Sequence, residues 1–79
     1  MKKENVLSAL QEIFRDILNN ELILLSEETN SNDVEGWDSL TNIMLVVTIE
    51  NHFGIKFLSS EILGWKSVSD MCDSILMKL

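Results

Sequence analysis

The run Asp38-Ser39-Leu40-Thr41-Asn42-Ile43-Met44-Leu45-Val46-Val47-Thr48-Ile49-Glu50-Asn51-His52-Phe53-Gly54 holds the longest apolar block of the chain and admits two readings. Ile43 to Ile49, taken alone, suits a buried strand, because it is rich in β-branched residues. Length and punctuation decide for a helix over 38–53. Asp38 or Ser39 is a good N-cap, and Gly54 stands where a helix-ending glycine belongs. The intervening 15 or so residues exceed a normal strand.

At about 100° per residue this helix carries two apolar stripes. Leu45, Val46, Ile49 and Phe53 fall on one side, and Leu40, Ile43, Met44 and Val47 on nearly the opposite side. Thr41, Thr48 and His52 separate them on one flank, with Glu50 on the other. A bundle helix normally buries one stripe. Two stripes mean either a central helix buried all round or a helix whose second stripe is exposed for docking.

Outward from this segment the pattern remains helical. Val6, Leu7, Leu10, Ile13, Phe14, Ile17 and Leu18 recur at helical spacing within 4–18, and Asn19-Asn20 is a natural stop. Residues 21–37 form a long connection, rich in acids and turn formers, whose Leu22–Leu25 patch is expected to tuck over the core. A loop this long in so small a domain is uncommon and often functional. A short helix is expected over 59–64, capped by Ser59 or Ser60, with Ile62 and Leu63 inward. A final helix is expected over 67–78, opened by a capping box in Ser67-Val68-Ser69-Asp70. Its inner stripe reads Val68, Met71, Cys72, Ile75, Leu76 and Leu79. With no Pro and three Gly, the chain favours helices over a many-turned β fold. The expectation is an all-α, small four-helix bundle forming one domain over 1–79. Three longer helices and one short one make it up, with a long loop between helices 1 and 2.

Composition narrows function by exclusion. Seventy-nine residues leave little room for a substrate cleft with its own catalytic apparatus. Thirteen acidic residues against six basic ones, a net charge of −7, oppose nucleic acid as a partner and favour an electropositive protein. One Cys and one His cannot build a Cys/His zinc site or a disulfide framework. Cys72 is expected as a packing residue. No signal peptide and no membrane insertion are expected, and the single cysteine fits a reducing compartment, so a cytoplasmic location is expected. A monomer is expected.

Ser39 lies where the long loop meets a helix start. Helix N-termini carry free N–H groups and a positive partial charge, so a phosphate attached there is well placed. Capping is the commoner use of such a Ser. It is a poor hydrolase nucleophile, because His52 lies about 20 Å away by helical rise.

Asp38-Ser39-Leu40 opening an apolar helix resembles the phosphopantetheine attachment motif of the acyl carrier and peptidyl carrier protein family. The likeness extends over nearly the whole chain: a first helix, a long acidic loop, the motif, a long helix ending in Phe53-Gly54-Ile55, a short helix and a final one. Trp37 directly before the motif is common among stand-alone carriers of specialised pathways. The resemblance implies that a phosphopantetheinyl transferase (a holo-acyl-carrier-protein synthase) uses Mg²⁺ to move 4′-phosphopantetheine from coenzyme A onto the Ser39 hydroxyl, with Asp38 and Leu40 flanking it. It implies a carrier of acyl or aminoacyl thioesters that is itself no enzyme, with an acyl-activating ligase, ketosynthase or acyltransferase as partners. Leu40, Ile43, Met44, Val47 and Glu50 become expected partner contacts, Leu45, Val46, Ile49 and Phe53 core, and the space near Ile49 and Ile62 a candidate acyl site.

Carriers of primary fatty acid synthesis usually bear several acids along the second helix. Here Asn42, Met44, Asn51 and His52 fall at such places, and only Asp38 and Glu50 are acidic. The resemblance therefore points to a specialised carrier in a polyketide, nonribosomal peptide, lipid or surface-polymer pathway. The alternative from the residues alone is an unmodified helical interaction module using the Leu40/Met44/Val47 face. A small helical DNA-binding domain is opposed by the charge.

Overall fold

In the computed structural model, which describes residues 1–79, the periodic segments form four helices and no strand: α1 (Lys3–Ile17), α2 (Ser39–Phe53), α3 (Ser59–Gly64) and α4 (Val68–Lys78). The all-α bundle expected from the sequence is the fold. α1 packs against both α2 and α4. Val6, Leu10, Ile13 and Phe14 of α1 meet Leu45 and Ile49 of α2 and Val68, Met71, Cys72 and Ile75 of α4 in one buried cluster. No helix is long and apolar enough to cross a membrane.

Local chemistry ends the first two helices where the sequence pointed. Asn19 takes a left-handed conformation (φ 51°), which a short polar side chain tolerates. The Asn20 and Asn19 amides then bond back to the Arg15 and Asp16 carbonyls, closing a Schellman turn. Gly54 ends α2 at φ 67°, and Ile55 N–H reaches back to Glu50 O.

Several expectations fail, one of them because a distant segment supplies the partner groups. The Leu22–Leu25 patch does not lie flat on the core. Ile23 and Leu25 are buried, while Leu22 and Leu24 are 87 % and 77 % exposed, because the segment is extended and alternates. Neither Ser59 nor Ser60 caps α3. The cap residue is Leu58, whose N–H is held by the Glu61 carboxylate at 2.8 Å. Leu63 is exposed, and α3 buries no residue fully. The expected box at α4 does not form. Ser67 makes no capping bond, and Asp70 accepts from Lys66 N–H instead. The long loop fills that role: the Val68 and Ser69 amides donate to the Thr29 and Glu27 carbonyls. Thr29 is the one buried polar residue, its hydroxyl accepting the Ser26 amide. The connection is therefore a crossover that also caps α4. Leu79, placed on the inner stripe, is 56 % exposed at the chain end.

Candidate functional site

The start of α2 is organised by Asp38. Its carboxylate accepts the Leu40 and Thr41 amides at 3.0 and 2.9 Å. Thr41 returns the contact, its hydroxyl accepting the Asp38 amide at 2.8 Å and donating to Gly36 O at 2.7 Å. These bonds, the Thr41 amide first, hold the Asp38 carboxyl below its ordinary range. Asp38, not Ser39, is thus the cap. Ser39 occupies the first helical position, exposed, and none of the bonds around the helix start uses its hydroxyl.

This arrangement also limits one expectation. Two of the amides expected to face a phosphate, those of Leu40 and Thr41, are already taken by Asp38. The next one, Asn42 N–H, bonds to Asp38 O. The amide of Ser39 itself is the one left over at this turn.

Trp37 anchors the preceding loop. Its ring meets Phe14 edge-on at 4.8 Å, and its indole N–H donates to Asn42 Oδ1 at 3.0 Å. That bond bridges the residues on either side of Asp38-Ser39-Leu40-Thr41, tying the loop to the first turn of α2. Beside it opens a cavity of about 250 Å³ lined by Ser39, Trp37, Asn42, Ile62, Trp65 and Lys66, among others. Its far wall is set by α3 and its flanks. Trp65 stacks edge-on with Phe57 at 4.9 Å and donates its indole N–H to Ser74 Oγ. Lys78 bridges to Glu61 at 2.9 Å. Sequence reasoning did not single out Trp65, Lys66 or Met71 for this site. They lie some 26 to 32 positions from Ser39, and only the tertiary fold, in which α1 packs against both α2 and α4, brings them there. Ile49, expected beside an acyl site, is fully buried in the core and does not line the cavity, whereas Ile62 does.

The two stripes of α2 part company. Leu45, Val46 and Ile49 are buried, with Phe53 half-buried. Leu40, Ile43, Met44 and Val47 are 48 to 70 % exposed and adjoin Ser39 along the helix. The helix is therefore not buried all round. Glu50 lies apart from this stripe in its chemistry, since its carboxylate accepts Phe57 N–H at 2.9 Å and so secures the turn after α2. No cluster of His, Cys, Asp and Glu suitable for a metal ion is present.

Comparison with known proteins places this geometry. The phosphopantetheine attachment site family matches residues 8–75. A solution NMR structure of a holo acyl carrier protein from Geobacter metallireducens superposes with a TM-score of 0.86 at 40 % sequence identity, covering 91 % of this chain and 83 % of that one. Among curated proteins none matches the sequence.

Proposed function

The chain belongs to the phosphopantetheine attachment site family, whose members are non-catalytic carriers bearing covalent 4′-phosphopantetheine, and we propose that Ser39 is the residue that carries the group here. The observation that carries this reading is the division of labour at the helix start. Asp38 caps, so the Ser39 hydroxyl remains exposed and uncommitted, next to a cavity with a cation on its rim. These residues fit a phosphate ester: an accessible hydroxyl, an unspent Ser39 amide and the Lys66 ammonium. When attached, the group supplies the thiol that bears acyl groups as thioesters.

The protein's own residues then do two things. The capping box fixes the backbone on both sides of Ser39, so the attachment point is presented on a rigid helix end. The Leu40, Ile43, Met44 and Val47 stripe offers an apolar surface beside it for the transferase and for acyl-handling enzymes. Between Arg15 and Lys56 the chain holds eight acids and no Lys or Arg, counted from Asp16 to Ile55. Charge thus steers an electropositive partner at long range, while the apolar stripe makes the close contact. Such an apolar stripe favours dedicated partners in a specialised pathway, with an acyl-activating ligase, ketosynthase or acyltransferase as the partner class and residues 1–79 acting as one carrier unit.

Intact mass after incubation with coenzyme A and a promiscuous phosphopantetheinyl transferase tests the attachment. One added phosphopantetheine in the wild type and none in Ser39→Ala is expected. An unmodified wild type would leave the interaction-module reading in its place, and equal modification of Ser39→Ala would put the arm on another residue.

A further inference from the structure

The end of α2 that carries Ser39 overhangs the bundle. The first buried residue of the helix is Leu45, and positions 39–44 before it contain none. An overhanging helix end frays unless something outside the helix holds it. We propose that Trp37 is a positioning residue for the transfer of phosphopantetheine: through Asn42 it clamps this end to the core, so that the transferase meets Ser39 on a helix already formed. The proposal rests on Ser39 being the attachment residue.

Two sets of bonds cross Ser39, and they do different things. The inner set, between Asp38 and Thr41, fixes the local backbone, but both residues belong to the helix start and move with it. The outer bond runs from the Trp37 indole N–H to Asn42 Oδ1 at 3.0 Å. Trp37 is itself fixed to the rest of the molecule. Its ring packs on the core and meets Phe14, fully buried in α1, edge-on at 4.8 Å. Its amide donates to the carbonyl of Val34, another core residue, at 3.2 Å. Phe14, Trp37 and Asn42 thus form a relay from α1 to the first turn of α2.

Placement gives the relay its leverage. Trp37 and Asn42 are both half-buried, so their bond forms in a lower dielectric than a fully exposed one and is stronger for it. Asn42 lies three positions after Ser39, on the same helix face. Holding Asn42 therefore holds the turn on which Ser39 sits. A carrier whose helix end is formed only part of the time binds its transferase with an apparent affinity reduced by that fraction. Once docked, the junction is the same however it was reached, so the chemical step is unaffected. The signature is a raised KM with kcat intact.

Two variants break the bond from opposite sides. Trp37→Phe removes the indole N–H and keeps a ring against Phe14. Asn42→Val removes the acceptor at similar helix propensity and leaves Trp37 whole. Each apo variant and the double variant are assayed with coenzyme A and a promiscuous transferase. Hydrogen exchange of the Leu40, Thr41 and Asn42 amides, all bonded to Asp38, is followed in nitrogen-15 spectra. Each single variant is expected to raise KM for the carrier about threefold, within what one net hydrogen bond supplies, with kcat unchanged. The double variant is expected to be no worse than the singles, because one bond is lost in all three. The three amides should exchange faster, while those from Leu45 onward do not. Faster exchange with unchanged KM would overturn the proposal, leaving a bond that only stabilises the fold. Raised KM with unchanged exchange would overturn it too, because the two side chains would then touch the transferase directly. Additive rises in the double variant would likewise show two separate effects and no clamp. A wild type that gains no mass defeats the attachment at Ser39. A wild type that gains it, with KM and exchange unmoved in the variants, defeats the clamp alone.

Discussion

Asp38 and Thr41 hold each other across Ser39: the Asp38 carboxylate accepts the Thr41 amide at 2.9 Å, and the Thr41 hydroxyl accepts the Asp38 amide at 2.8 Å. The helix start is stabilised by the residues that flank the serine. Its own hydroxyl is thereby spared for chemistry, where a lone serine at such a junction would be drawn into capping.

Removing that cap should cost stability without touching Ser39, the proposed attachment residue. Asp38→Ala is expected to destabilise the fold by about 1 kcal/mol, within the roughly 0.5–2 kcal/mol typical of lost caps, and Asp38→Asn by less because it retains an acceptor. Urea unfolding followed by circular dichroism measures both. Equal stability of all three proteins would mean that the box contributes nothing to the fold.

The same cap should make the protein acid-sensitive. Asp38 lies below its ordinary 3.8, chiefly through the Thr41 amide, and Glu61 below its ordinary 4.5, chiefly through the Leu58 amide and then Lys78. A carboxyl depressed in the folded state stabilises fully above its unfolded value, and that contribution is lost as pH falls through the folded one. Stability is therefore expected to hold down to about pH 4.5 and then to decline through the pH 4 region and below. Urea midpoints across this range test it, with Asp38→Asn and Glu61→Gln expected to flatten the decline. A double variant as acid-sensitive as the wild type would place the effect on other carboxylates.

Legibility in the sequence followed the range of the interactions. The stops at Asn19 and Gly54 were readable because the residue that turns the chain is also the residue that tolerates the turn. The buried faces of α1 and α4 were readable because periodicity is local. What escaped was how two helix starts are satisfied: α4 by the distant loop carbonyls of Glu27 and Thr29, and α3 by Glu61, three residues on, reaching back to Leu58 where two serines looked the better caps. The loop misled for another reason. Four apolar residues in a row look alike as a patch, and only an extended backbone sends Leu22 and Leu24 outward while Ile23 and Leu25 go in. Within the site, Ser39 and its flanks were legible as a contiguous motif. The wall formed by Trp65, Lys66 and Met71 was not, since nothing local links those residues to Ser39.

The exposed stripe of α2 yields a prediction that separates docking from folding. Met44 is 48 % exposed, and Met44→Glu is expected to change stability by no more than about 0.5 kcal/mol. It should nevertheless weaken a dedicated partner enzyme, raising the apparent KM for the carrier more than it lowers kcat, because encounter and docking are disturbed and the thioester chemistry is not. Partners adapted to acidic second helices should tolerate it or gain. Unchanged KM with a dedicated partner would put Met44 outside the contact.

Cys72 supplies the last test, because a carrier's working thiol must be distinguishable from its structural one. The residue is fully buried among α1 and α4 core side chains, and burial pushes its thiol up to about 11. At about pH 8 only about one such thiol in a thousand is ionised, and the thiolate is the nucleophile. Even that fraction is shielded by packing, so modification requires the α1–α4 core to open. Apo protein is accordingly expected to react negligibly with a thiol reagent until denaturant is added, and then to release one equivalent. Holo protein should show one rapid equivalent under native conditions and a second on unfolding. Rapid labelling of the apo protein would mean that the α1–α4 core opens readily, and it would undercut any use of thiol reactivity to follow the arm. If the two phases separate as expected, a native wild-type chain reports the arm alone, with Cys72 left in place to pack.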